Sequence, residues 1–412
     1  MSTSNNKFNV VVVGGGAGGL SVAAALRRRR PELDVAIVEP SEKHYYQPGW
    51  TLVGGGSMTA AQTMRYEAAC IPTGVTWLRD SVVSFEPDSN RVMLASGEAV
   101  SYDYLVVAAG LQLDWGKIDG LPATLGKNGV TSNYRFDLAP YTWQCIREFT
   151  GGRALFTQPA MPIKCAGAPQ KILYLAADYW RQHGTAADIQ FFNQGGAMFG
   201  VPLFARALDQ IMTGYGAKPR FGQNLVGVDG KAKTATFQLV SDGSTVTESF
   251  DLLHVTPPQS APDFIKTSPL AAESGWMDVD RHTLRHTRYA NIFGLGDCTN
   301  TPNAKTAAAV RRQFPVVVAN LLAVLDSRDN AGDLSSYDGY GGCPLTVAYG
   351  KVMMAEFRYD AEVVPSFPLD PRVPRRSYWW MKRRLFPYMY WNVILRGRDW
   401  RWPAPRPRYN AV

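Results

Sequence analysis

Cysteine and histidine are scarce in this chain, with five of each in 412 residues. Cys70, Cys145, Cys165, Cys298 and Cys343 are odd in number and scattered, with no C-x-x-C, which excludes a disulfide scaffold and a zinc site. The histidines His44, His183, His254, His282 and His286 show no metal-ligand spacing, so no metal is expected. Acidic residues are almost missing from the end: residues 372–412 hold eleven Lys/Arg and one acid, Asp399. With a whole-chain charge of +8, the tail therefore carries +10 and the rest −2. A nucleic-acid partner is excluded, because its footprint would be a basic face on the fold itself, and the tail reads as an electrostatic appendage. The longest uncharged apolar stretch near the tail, residues 385–395, is 11 residues with Pro387 inside, well short of the roughly 20 needed to span a bilayer. Only Met1 to Lys7 precede the first apolar run, so no signal peptide is expected.

What the chain does have begins at Asn9–Val13, a short apolar run that enters Gly14-Gly15-Gly16-Ala17-Gly18-Gly19 and then an alanine- and leucine-rich segment. This is strand, glycine turn, helix, the context that G-x-G-x-x-G requires. A second strand, Asp34–Val38, ends at Glu39, 20 residues beyond Gly19. Gly14 makes the tight turn, Gly16 lets backbone approach a pyrophosphate, Gly19 packs helix on strand, and Glu39 can bond a ribose hydroxyl. The segments 102–110 (YDYLVVAAG, ending in Ala109 and Gly110) and 289–300 (YANIFGLGDCTN, with Gly296 and Asp297) read as later strands that return to the same cofactor. Between them lies a second βαβ unit: strand 153–157, helix 170–183, strand 188–193. Its turn, PAMPIKCAGAP at 159–169, lacks the glycine pattern and carries Cys165 among three prolines, so a nicotinamide dinucleotide would fit badly.

The segments VVVGGGAGGLSVA, HYYQPGWT, YDYLVVAAGLQLDW, PIKCAGAPQK, FGLGDCTNTPNAKTAAAV and YGGCPL together resemble the sulfide:quinone oxidoreductases, in the branch that includes the mitochondrial enzyme. The resemblance implies an α/β chain with two Rossmann-like dinucleotide-binding domains, glutathione-reductase-like, and a C-terminal amphipathic membrane-binding segment. The expected division is 1–115 for the first part of the FAD-binding domain, 116–285 for the degenerate second domain with Cys165, 286–330 for the return to FAD, and 331–412 for Cys343 and the anchor. It also implies that Cys165 and Cys343 form a redox pair beside FAD, and that Gln47, Ala109, Gly110, Asp297 and Lys305 join Gly14, Gly16, Gly19 and Glu39 around that cofactor. The same two cysteines stand out from the residues alone, since KCAGAP and GGCP are turn-like segments. Cys70 and Cys145 read as structural, and Cys298 as a small packing residue. Lys305, at the start of a helix, either stabilises reduced flavin or is a solvated surface lysine. His44 in HYYQPGWT falls near the cofactor.

Residues 375–402 contain eight Lys/Arg and nine Phe/Tyr/Trp, a composition suited to a bilayer surface, with Pro387 expected to split the segment into two short helices. The expected activity is oxidation of hydrogen sulfide to sulfane sulfur, delivered to a small thiol or sulfite, with electrons passed through FAD to a membrane quinone. The expected location is peripheral, on an energy-transducing membrane such as the bacterial cytoplasmic one, with a homo-oligomer allowed. Two rivals stay open: a type II NADH:quinone oxidoreductase, and a redox-inert FAD-binding membrane adaptor.

Overall fold

The computed structural model describes residues 6–330 and 332–399. Strand Lys7–Val13 ends in four buried valines and pairs in parallel with Val35–Val38 on one side and Ala99–Val107 on the other. Uninterrupted apolar runs such as these suit strands covered on both faces. Val75–Leu78 extends the sheet beyond Val35–Val38. The far edge of Ala99–Val107 is shared: its first residues pair antiparallel with Arg91–Leu94, and Leu105–Val107 pair parallel with Ile292–Gly294. The chain thus leaves this sheet, builds a second, and comes back at Ile292.

The second sheet is parallel throughout, in the order Val130–Thr131, Leu252–His254, Gly152–Gln158, Ala187–Asn193, Lys218–Phe221. Helix Ala168–Gln182 forms the crossover between its two central strands and is buried over most of its length. Back at the first sheet, helix Ala307–Leu325 lies against Ala17–Arg29. By length and composition it could cross a membrane, but 67% of it is buried inside the protein, so it is a core helix.

A hairpin, Gly341–Ala348 and Lys351–Phe357, then packs on helix Ala168–Gln182. Near the end of the described residues comes one helical run from Arg376 to Ile394 in which α-helical and wider π-helical turns alternate. Pro387 does not split it. The wide turn Met381–Leu385 lies just before the proline, where the ring would otherwise crowd the preceding carbonyl. Nor is the run an appendage: Tyr378, Met381, Lys382, Met389, Tyr390, Trp391, Ile394 and Leu395 are all buried against the body. Residues 400–402 of the expected lipid-facing segment lie outside the described residues.

Candidate active site

The carboxyl ends of the first sheet's strands, the turn at Cys165, the hairpin and the C-terminal helix enclose one cavity of about 580 Å³. At one end sits the glycine turn. Gly14 has φ +103°, and a Cβ there would lie 2.6 Å from the Ala108 carbonyl oxygen. A Cβ on Gly19 would lie 1.9 Å from the Gly14 carbonyl, so helix and strand meet only because both positions are bare. Gly16 is different: a Cβ would meet nothing within 4 Å, leaving open space in front of the helix start. Glu39 accepts hydrogen bonds from the Gly15 N–H (2.7 Å) and the Ser41 N–H (2.8 Å), and burial raises its carboxyl above the ordinary range despite them. Gln47, Ala109, Gly110 and Asp297 also border the cavity.

The two cysteines meet in the middle. Cys165 Sγ and Cys343 Sγ are 3.7 Å apart, across 178 residues of sequence. Cys165 does lie in a turn, with φ +50° and its N–H bonded to the Lys305 carbonyl (2.8 Å). Cys343, expected in a turn, is instead on a strand with 2% of its surface exposed, because GGCP continues into the β-branched run of the hairpin. Lys171, in the first turns of helix Ala168–Gln182, places Nζ 2.9 Å from Cys165 Sγ. The Cys343 S–H and the Lys171 ammonium together hold the Cys165 thiol well below its ordinary pKa, against the opposing effect of burial. Cys343 is pushed well above, first because its proton is the one shared with Cys165 and second by burial. Both effects favour the thiolate at Cys165 and the thiol at Cys343. Burial pushes Cys70, Cys145 and Cys298 each up to about 11, in keeping with unreactive packing residues.

Two more lysines crowd the pair. Lys382 reaches in from the C-terminal helix and donates to the Pro344 carbonyl at 2.9 Å; burial, and then repulsion from Lys171, push it well below the usual amine range. Lys164 donates to Gln47 Oε1 at 2.6 Å and is lowered to about 8, chiefly by burial.

Residues 8–140 match the pyridine nucleotide-disulphide oxidoreductase family. Over 374 residues the chain is 43% identical to the mitochondrial sulfide:quinone oxidoreductase of Mus musculus, covering 90% of this chain and 82% of that one. Against the mitochondrial sulfide:quinone oxidoreductase of Dictyostelium discoideum it is 44% identical over 385 residues, 92% of this chain and 83% of the relative. The chain belongs to the sulfide:quinone oxidoreductases. The fold agrees: the sulfide:quinone oxidoreductase of Aquifex aeolicus superposes with a TM-score of 0.78 at 18% identity, over 95% of this chain and 92% of that one.

Members of this family and fold carry FAD, and the cradle fits a dinucleotide: open space at Gly16, bare backbone at Gly14 and Gly19, and an acid at Glu39. Lys305 also borders the cavity. It is buried, which removes the surface alternative, but its ammonium is bound to the Asp297 and Thr299 carbonyls (2.8 and 2.9 Å) and lies 3.9 Å over the Trp276 ring. This oxidoreductase presents to the cavity there Lys305 itself, Gly296 and Asp297 of the turn that it braces, and the helix start at Ala307 and Ala308. Sequence reasoning missed Lys164, Lys171 and Lys382. The first two stand within PIKCAGAPQK itself, and a lysine one turn into a helix that follows a cysteine was the signal available.

Proposed function

We propose that this sulfide:quinone oxidoreductase oxidises sulfide at the Cys165–Cys343 pair, with FAD across the glycine cradle and the quinone entering beneath the C-terminal helix. The single observation that carries this is the two sulfurs 3.7 Å apart with a buried lysine 2.9 Å from one of them. When oxidised, the pair is a disulfide. Hydrosulfide attacks Cys343, the Cys165–Cys343 bond breaks, a Cys343 persulfide forms, and Cys165 leaves as the thiolate that Lys171 stabilises. A small thiol or sulfite then takes the outer sulfur and leaves Cys343 as a thiol. Closing the disulfide again releases two electrons and a proton. Bound FAD supplies a two-electron acceptor for that step and a donor to the quinone. Lys305 contributes by holding the Gly296–Thr299 turn and the adjoining helix start in place.

The outward face of the C-terminal helix supports a peripheral site on an energy-transducing membrane. Arg376, Trp380, Arg383, Arg384, Tyr388 and Arg396 are exposed there, next to exposed Leu369 and Val373. Cations and amphipathic rings on one face suit a lipid surface, where each Lys or Arg contributes about 1 kcal/mol.

An anaerobic absorbance titration with sulfide and then NADH tests the reading. Sulfide bleaches the flavin and NADH does not, since the 159–169 turn lacks the G-x-G-x-x-G pattern that a pyrophosphate needs. Bleaching by NADH would favour the NADH-dependent rival, and bleaching by neither the redox-inert one.

A further inference from the structure

The hairpin that carries Cys343 is a wall with two chemically different faces. In its register Cys343 lies opposite Ala355, Gly342 opposite Glu356 and Pro344 opposite Met354. Side chains alternate along a strand, so these pairs point to opposite sides. Cys343, Leu345, Met353 and Ala355 turn into the core over helix Ala168–Gln182. Gly342, Pro344, Met354 and Glu356 border the cavity, as do Phe367, Met381, Phe386 and Met389 and the polar Arg311, Tyr340, Ser366 and Lys382. Glu356 is thus a buried carboxyl on the cavity wall, 5% exposed, among side chains of the hairpin and the C-terminal helix that include Met354, Met381, Phe386 and Met389. Its Oε1 accepts from the Tyr340 hydroxyl (2.5 Å) and the Ser366 hydroxyl (2.6 Å), and its Oε2 from the Ser366 N–H (2.8 Å). Tyr340 in turn has the Arg311 guanidinium 3.4 Å from its oxygen, and the Arg311 and Arg312 guanidinium groups at 5.5 and 5.4 Å from its ring.

We infer that Glu356, held by Tyr340 and Ser366, is the general acid that protonates the quinone as it is reduced. The inference rests on the quinone reading above and adds a residue to it. Reducing a quinone to the hydroquinone takes two electrons and two protons. Hydrosulfide supplies both electrons and one proton as its sulfur becomes sulfane sulfur, so one further proton comes from water. A cavity wall closed by the hairpin and the C-terminal helix limits the access of bulk water to the ring, and a buried carboxyl on that wall delivers the proton. The Glu356 O–H bond breaks, a quinone oxygen gains the proton, and the carboxylate left behind is met by three donors already in place. Burial and the neighbouring Glu356 both raise the Tyr340 phenol, so it donates to the carboxylate without dissociating. Reprotonation of Glu356 from water closes the cycle.

The test uses the FAD-loaded full chain with Glu356→Gln and, separately, Tyr340→Phe, and four readouts. These are flavin bleaching by sulfide, reoxidation by decylubiquinone, reoxidation by ferricenium, which takes electrons and no proton, and decylubiquinone binding followed by tryptophan fluorescence. In Glu356→Gln, reoxidation by decylubiquinone slows about 100-fold, the usual size of a lost general acid. Bleaching by sulfide, reoxidation by ferricenium and quinone binding stay within about threefold of the unaltered chain, as expected when only a proton donor is lost. Tyr340→Phe, which keeps the carboxyl, slows the quinone step alone by about 10-fold, the scale of one lost hydrogen bond to a charged group. An infrared carboxyl band that shifts when decylubiquinone binds disappears in Glu356→Gln. Unchanged quinone kinetics in both variants overturns the inference, and so does an equal loss with ferricenium, which would mean a structural role. If sulfide fails to bleach the unaltered protein, the underlying reading has failed instead.

Discussion

The Tyr390 hydroxyl lies 2.7 Å from His44 Nε2, and on the other side of the ring His44 Nδ1 lies 3.1 Å from the Gly15 carbonyl oxygen. His44 Nδ1 also lies 3.2 Å from the buried Glu67 Oε2, and the Tyr390 hydroxyl donates toward the Tyr45 carbonyl at 3.4 Å. One imidazole therefore ties the C-terminal helix to the glycine turn near the start of the chain. Trp391 packs edge-on against the same ring at 5.6 Å, and Arg65 lies 4.3 Å over Trp391. The helix whose outward face is proposed to meet lipid borders the cavity with its inward face, through Met381, Met389, Tyr390 and Ile394.

Deleting residues 375–412 is consequently expected to destroy the cofactor site as well as membrane binding. The deletion exposes what Tyr378, Met381, Met389, Tyr390, Trp391, Ile394 and Leu395 now bury or contribute. At about 1.5–3 kcal/mol per large apolar side chain, that loss is comparable to the whole net stability of a folded domain, about 5–15 kcal/mol. The chain altered only on the outward face, with Trp380, Arg383, Arg384 and Tyr388 all changed to Ser, should keep its FAD and its bleaching by sulfide but float poorly with anionic liposomes. Flotation together with FAD content per chain checks both. A truncated protein that retains FAD would show that the helix is no wall of the cofactor site.

Cys165→Ser and Cys343→Ser should each abolish sulfide-dependent quinone reduction, while Cys145→Ser leaves it nearly intact. Members of one covalent relay act as a unit, so losing either sulfur costs about as much as losing both. Turnover with decylubiquinone is the measurement. Near-full activity in either of the first two variants would end the paired-thiol mechanism.

After the Cys343 S–H, the Lys171 ammonium is what extends the thiolate form of Cys165 to lower pH. The folded protein lowers this thiol, so it stays ionised as the pH falls well below the value of about 8.5 for an exposed cysteine. Removing the cation raises that pKa, and the midpoint of thiolate formation moves to higher pH. In Lys171→Met, alkylation of the reduced enzyme by iodoacetamide should slow at mildly acidic pH, about tenfold per unit of displacement, and converge with the unaltered protein in alkali. Identical alkylation profiles would mean that Cys343 alone holds the thiolate.

How far the sequence reached depends on how local each signal is. The run to Val13, the glycines and Glu39 are specified within 40 residues, and the structure assembles them as the motif implies. Cys165 and Cys343 could be picked out because each stands in a distinctive short segment, but no local pattern records that they lie 3.7 Å apart or that Cys343 is on a strand. Lys171 was hidden for the opposite reason: a lysine in a helix is ordinary until the partner of its ammonium is known. The tail misled because interleaved cations and rings describe one face of a helix, and the rings that turn inward, Tyr390 and Trp391, have the same composition as those that turn out, Trp380 and Tyr388.

The glycine turn offers a way to separate cofactor binding from folding. Gly16 has φ −70° and ψ −171°, a conformation open to any residue, and a side chain there would enter space that no protein atom occupies within 4 Å. Gly16→Val should therefore fold with a stability within about 0.5 kcal/mol of the unaltered apoprotein, as for a substitution that touches nothing. It should nonetheless purify with little FAD, because the added methyl groups fill the approach to the helix start. Gly19→Ala reverses the pattern. Its Cβ would lie 1.9 Å from the Gly14 carbonyl oxygen and 3.0 Å from Val12 Cγ1, so strand and helix must move apart, at a cost of about 1–3 kcal/mol. Thermal denaturation of the two apoproteins, set beside FAD content after purification, distinguishes them. If Gly16→Val retained a full complement of FAD, the pyrophosphate would have to sit elsewhere, and the cradle would be only a packing device between the first strand and its helix.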